Sequence, residues 1–276
     1  TLSNTGGIGS GDEIAKITLD GEDGVSLSGD LKAVGTGALV SITGPVTLAQ
    51  NIAIDSSTNN GTVTFETSTT TINGAKTLTI TSGSGDVKFQ GKIGVDAGIG
   101  NLAVNKDGGS GDIEIFDMGD ADNVGVTGTV DIGNSATTSI VLDGTTYKTT
   151  GSQTYTNMSA ASGGGDIVIS GTTPTFTTDG TAIEFNTADV ILSNNGTTTI
   201  TTGSGAGGVT FGGAIETNGG DNDILTITSG TGNVTFSGAL GVTNELGGLS
   251  VNASTGNGDI TFTGNIGASA TKAGVI

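Results

Sequence analysis

Apolar and polar residues alternate in short runs along this chain, and glycine breaks most runs before they could make two helical turns. Leu78-Thr79-Ile80-Thr81, Val87-Lys88-Phe89, Val209-Thr210-Phe211 and Ile260-Thr261-Phe262 each place large apolar side chains at every second position. A period of two puts Leu, Ile, Val and Phe on one face of a strand and Thr or Lys on the other. No run carries a 3.6-residue period, and Gly with β-branched residues interrupts every candidate helix. The pattern predicts an all-β protein of many short strands.

The strands fall on a lattice. Phe65 to Phe89 is 24 residues, Phe211 to Phe236 is 25 and Phe236 to Phe262 is 26. Each step holds two or three strands separated by Gly, Asn, Asp or Ser, the residues that supply positive-φ corners. A repeat of this length buries its apolar face only by stacking on its neighbours. The expectation is a parallel β-helix with coils about 4.8 Å apart and Phe above Phe in the interior. At about 25 residues per coil the chain would form about 11 coils, one continuous β-solenoid over 1–276. A sandwich or barrel of hairpins competes poorly, because tight two-residue turn signals are few and such folds carry no lattice of this length.

A larger duplication surrounds the lattice. Gly91-Lys92-Ile93-Gly94-Val95 aligns with Gly238-Ala239-Leu240-Gly241-Val242, and Leu102-Ala103-Val104-Asn105 with Leu249-Ser250-Val251-Asn252, both at a shift of 147. Upstream, Leu27-Ser28-Gly29 matches Ile169-Ser170-Gly171 at 142, and Ile17-Thr18-Leu19 matches Ile140-Val141-Leu142 at 123. The copies are assigned to about 8–131 and 132–265. A third begins at 266, since Asn265-Ile266-Gly267-Ala268-Ser269-Ala270-Thr271 repeats Asp131-Ile132-Gly133-Asn134-Ser135-Ala136-Thr137. The drop from 142 to 123 reads as about 19 residues inserted within 145–163. That segment holds Tyr147, Tyr155 and Met158 and is expected to be a surface interaction loop, as solenoid insertions are. The first copy has its own extra segment near 116–128. Neither end reads as a polar cap, so the expected partner is the protein itself, head to tail or as part of a longer array.

Composition narrows the chemistry. The 276 residues include 52 Gly, no Cys, His or Trp, and eight basic residues, all Lys, against 27 Asp and Glu, for a net charge of -19. The usual nucleophile and base pairs, zinc sites and disulfides have no side chains to build them. Without Arg there is no bidentate phosphate recognition, and so acidic a chain repels nucleic acid and anionic membrane surfaces. No stretch approaches the ~20 apolar residues of a spanning helix. The expectation is a protein that is not an enzyme, has no organic cofactor and inserts in no membrane through this segment.

What remains is acidic and hydroxyl chemistry. Asp117, Asp120 and Asp122 are candidate calcium ligands, as are Asp20-Gly21-Glu22-Asp23 and Asp221-Asn222-Asp223. Gly108-Gly109-Ser110-Gly111-Asp112 is similar to the calcium-binding nonapeptide of secreted toxins. It lacks one spacer residue and a tandem copy, and so reads as a glycine-rich corner. Thr77/Thr79/Thr81, Thr199/Thr201 and Thr226/Thr228 predict outward Thr ladders of the kind ice-binding solenoids present, broken by Lys88, Glu114 and inserted loops.

The units Gly232-Asn233-Val234-Thr235-Phe236-Ser237-Gly238-Ala239-Leu240-Gly241 and Gly258-Asp259-Ile260-Thr261-Phe262-Thr263-Gly264-Asn265-Ile266-Gly267 resemble repeats of very large secreted bacterial surface proteins, in the filamentous-haemagglutinin and autotransporter-adhesin style. The resemblance implies a right-handed parallel β-helix, serving outside the cell as a stalk, fibre or adhesive surface that meets a surface glycan or another cell. The alternative is a ligand-binding surface module for calcium, glycan or ice.

Overall fold

The computed structural model describes residues 14–158, 165–219, 222–253 and 258–267. Strands of two to six residues succeed one another around a triangular coil, and each pairs in parallel with the strand one coil away. Face one is a nine-stranded sheet running from Lys16–Asp20 to Ile215–Thr217. Face three is a ten-stranded sheet from Leu31–Lys32 to Ile260–Phe262. Face two begins as three strands and ends as five, and single parallel bridges join the parts through Ile72, Ile93, Met118 and Tyr147. Among the described residues the only helix is the 3-10 turn Ser57–Asn59, and no helix is long and apolar enough to cross a membrane.

The parallel β-solenoid expected from the alternation is therefore what forms, with about nine turns rather than about 11. Dividing the whole length by a fixed period counted residues 1–13 and 268–276, which lie outside the described residues. Turn length is also uneven, from 21 residues between Val25 and Val46 to 30 between Gln153 and Ile183.

The Phe register holds. Phe65 pairs with Phe89, Phe211 with Phe236, and Phe236 with Phe262. Their ring centroids are 5.0, 5.5 and 4.8 Å apart, with planes within 6°, 1° and 3°. On face three the stack continues back through Phe185 to Tyr155, five rings deep. Each ring pair contributes about 0.5–1.5 kcal/mol beyond the area it buries.

The large duplication takes an unexpected form. Val87–Phe89 lies on face one and its copy Val234–Phe236 on face three; Leu78–Thr81 lies on face three and its copy Leu225-Thr226-Ile227-Thr228 on face two. A shift of 147 is thus five turns and two further faces, so the second copy is rotated by one face of the triangle. Ile17-Thr18-Leu19 and Ile140-Val141-Leu142, 123 apart, both lie on face one, five turns apart. The residues read as an insertion are the difference: they contain two ordinary strands, Thr146–Lys148 on face two and Gln153–Thr156 on face three. Of the third copy, Ile266 bridges Leu240 on face one, and 268–271 lie outside the described residues.

Corners explain the glycine. Gly207, Gly232 and Gly258 stack at one corner of successive coils, and a Cβ on Gly232 or Gly258 would come within 3 Å of the backbone of the glycine before it. Beside that column runs a buried hydroxyl column, in which Thr149, Thr202 and Ser229 donate to the carbonyls of Gly151, Gly207 and Gly232 at 2.6, 2.7 and 2.9 Å. Side chains thereby satisfy turn carbonyls that no strand reaches. Gly232→Ala should lower stability by about 1–3 kcal/mol through overpacking. Gly108→Ala, where nothing lies within 4 Å, should leave the melting temperature unchanged in the same calorimetric comparison.

Candidate functional surfaces

Tyr147 and Tyr155 do not form an exposed loop. Both are fully buried, because Thr-Tyr-Lys and Gln-Thr-Tyr-Thr alternate like every other strand and turn the ring inward. Tyr147 stacks on Phe176 at 4.5 Å and Tyr155 on Phe185 at 5.3 Å, and Phe176 meets both Tyr155 and Phe185 edge to face. Their hydroxyls are absorbed internally. The Gly144 N–H donates to Tyr147 Oη at 2.8 Å, which donates to the Ile115 carbonyl at 3.2 Å, and Tyr155 Oη donates to Gln153 Oε1 at 3.0 Å. Gln153, also fully buried, donates from Nε2 to the Tyr147 and Thr177 carbonyls and to Thr149 Oγ1. Burial above all pushes both phenols far above their ordinary range, so they remain neutral. Met158 lies half-buried just past Gln153–Thr156, its N–H bonded to the Thr137 carbonyl. The expected interaction loop is a core junction between faces two and three.

The acidic candidates separate in the same way. Asp117 is buried, with Oδ1 accepting the N–H groups of Thr145 and Thr146 at 2.6 and 2.9 Å and Oδ2 paired with Lys92 Nζ at 3.0 Å. It holds the next coil's corner. Asp120 caps its own exposed turn by accepting from the Asn123 and Asp122 N–H groups at 2.7 and 2.9 Å, and the Asn123 bond foremost holds its carboxyl below the usual range. Asp122 contributes a backbone N–H to that turn. The three are not gathered into a ligand set, and among the described residues no group of three or more His, Cys, Asp or Glu could hold a metal ion. Asp223 is likewise internal, accepting from the Asn194 and Gly196 N–H groups at 3.2 and 3.1 Å, while Asp221 lies outside the described residues. The Gly108-to-Asp112 segment is a corner laid over the one below, with the Ser110 N–H on the Gly83 carbonyl at 2.7 Å.

The outer faces carry distinct chemistry. Lys88 and Glu114, expected to interrupt the Thr ladders, sit on face one as register partners and pair at 3.3 Å. Farther along face one the outward positions become apolar, with Val141, Val168 and Ile191 in one column. Two of the three expected Thr runs lie on face two, whereas Thr79 and Thr81 belong to Leu78–Thr81 on face three, where Thr79 is flanked by Ala53 and Ala103. Thr175, Thr199 and Thr226 form one column on face two, and Thr177, Thr201 and Thr228 the next. The rung Thr175-Phe176-Thr177 stands outside the expected triplets, although its alternation is plain. The signal that places it is the coil register, not the triplet itself. A polar cleft beside Thr217, Asn222, Asn244 and Glu245 follows Glu216, whose carboxylate accepts the N–H groups of Val242, Thr243 and Asn244.

No family model matches the chain, and neither a curated protein nor a solved structure matches it.

Two outcomes follow from the buried groups. Tyr155→Phe leaves Gln153 Oε1 buried without its donor and should cost about 1–3 kcal/mol in denaturant unfolding. Burial, before all else, raises the carboxyls of Asp112, Asp131, Asp143 and Asp166 above the ordinary range, with neighbouring Glu114 and Asp117 adding to Asp143. Against burial, bonds to Ser57 and the charge of Lys32 lower Asp55. A raised folded-state pKa means the folded protein binds protons first as pH falls, so stability rises on acidification through those values and levels off near about pH 4. The melting temperature should therefore climb from pH 7 toward pH 4. Asp143→Asn should raise it at pH 7 by on the order of 2 °C and shrink the climb.

Proposed function

We propose that this chain is a rigid length of an extracellular β-solenoid fibre or stalk, a surface spacer or adhesin shaft whose partners are further lengths of the same array. One observation carries the reading: three faces continue through about nine turns in a single register, so the molecule's organisation is linear. At ~4.8 Å per coil such a stack spans about 45 Å, and every added turn lengthens it without changing its section. The side chains support the same use. Asp117 Oδ1, Asp223 Oδ1 and the two Tyr hydroxyls are spent on corners and core, which is what a shaft requires and a reactive site does not. A net charge of -19 keeps parallel shafts apart in solution.

A second reading, a ligand-binding surface module, is favoured by one observation, the paired Thr columns of face two.

Immunogold electron microscopy of intact source cells with antibody against this chain tests the first reading. Label along long uniform filaments outside the cell is the expected result. Label confined to the cytosol, or to isolated short particles, would overturn it.

A further inference from the structure

We infer that face two, across the strands Thr175–Thr177, Thr197–Thr201 and Ile224–Ser229, is an ice-binding surface. The inference names the ligand for the second reading and rests on it; it is independent of the spacer reading.

The argument begins with register. Thr175, Thr199 and Thr226 are direct partners, as are Thr177, Thr201 and Thr228, so six threonines form a grid two wide and three deep. The backbone sets its spacing at ~4.8 Å between coils and ~6.6 Å along each strand. Underneath, Phe176, Ile200 and Ile227 are fully buried and hold the rungs. The three strands pair in parallel without a break in register, so each rung lies directly over the one before it. Thr is stiff at χ1, which fixes each hydroxyl and methyl relative to the strand.

The second observation is that all six hydroxyls lack a hydrogen-bond partner among the described residues. Elsewhere Thr149, Thr178, Thr202 and Thr217 spend theirs on carbonyls. The grid therefore offers donors and acceptors only to solvent. Its edges are Thr146 and Lys148 on one side and Ser250 and Asn252 on the other, so no carboxylate and no aromatic side chain projects from it. A sugar would need an aromatic platform or charged hydrogen-bonding groups, and a cation would need carboxylates. A partner protein would need a desolvated apolar anchor inside the grid, and the exposed Ile224 stands outside it, two positions before Thr226. What matches an uncharged, two-dimensional repeat of hydroxyls and methyls is a ligand that is itself a repeating lattice of hydroxyl groups, and crystalline water is that ligand.

The test is the full chain in supercooled buffer, observed for ice-crystal shape and for recrystallisation. The native protein should give faceted crystals and arrest recrystallisation. Thr201→Lys and Thr226→Lys, each verified as folded by circular dichroism and melting temperature, should lose both effects. Thr210→Lys, the same change on face three of the same coil, should keep them. Round crystals and a recrystallisation rate equal to that of serum albumin at the same concentration would overturn the inference. So would folded Thr201→Lys and Thr226→Lys variants that still facet ice.

Discussion

The backbone hydrogen bonding of each strand to the strand one coil away, always parallel and in register, is the constraint on which everything else rests. Parallel pairing at a fixed spacing places each residue over its counterpart, so each position in the coil becomes a column running the length of the molecule. Columns multiply whatever chemistry they contain. A ring over a ring gives the stack from Tyr155 to Phe262, and a glycine over a glycine gives corners too close for a Cβ. A threonine over a threonine gives the grid on face two.

Columns also multiply penalties, which is why the corners are so carefully satisfied. An unpaired carbonyl at one turn would recur at the next, and the desolvation cost would accumulate along the rod. Buried Thr149, Thr202 and Ser229 answer that at one corner, and Asp117 does the same for orphan donors by accepting the N–H groups of Thr145 and Thr146. At the junction of faces two and three, Gln153 ties two tyrosines and a threonine into one buried network. Asp117 and Glu216 brace the next coil by accepting its backbone N–H groups.

Such a molecule has few ways to act except by surface. Its faces differ in what they repeat: charge pairs giving way to Val and Ile outside face one, a doubled Thr column on face two, and a single one of Thr210, Thr235 and Thr261 on face three. The acidic balance discourages side-to-side association while leaving stacking along the axis untouched, because axial contacts are backbone and core. Length and an ordered hydroxyl face are compatible in one shaft, since the first belongs to the core columns and the second to one outer column pair.

The alternation and the Phe spacing by themselves determined the strand type, the inward face and the coil-to-coil register, because a period of two and a near-constant step are local properties that stacking can only preserve. The same locality hid the faces. One strand with its corner is a third of a turn and looks alike on any face, so a shift of 147 could not be told from a whole number of turns, and two ordinary strands passed for an insertion. Tyr147 and Tyr155 were legible as unusual but not as buried, since composition carries no direction. Thr175 and Thr177 joined the grid only through partners 24 residues on, and Lys88 and Glu114 left it because they fall on another side of the triangle. Which residues share a face is decided by how many thirds of a turn separate them, and that count depends on every corner in between.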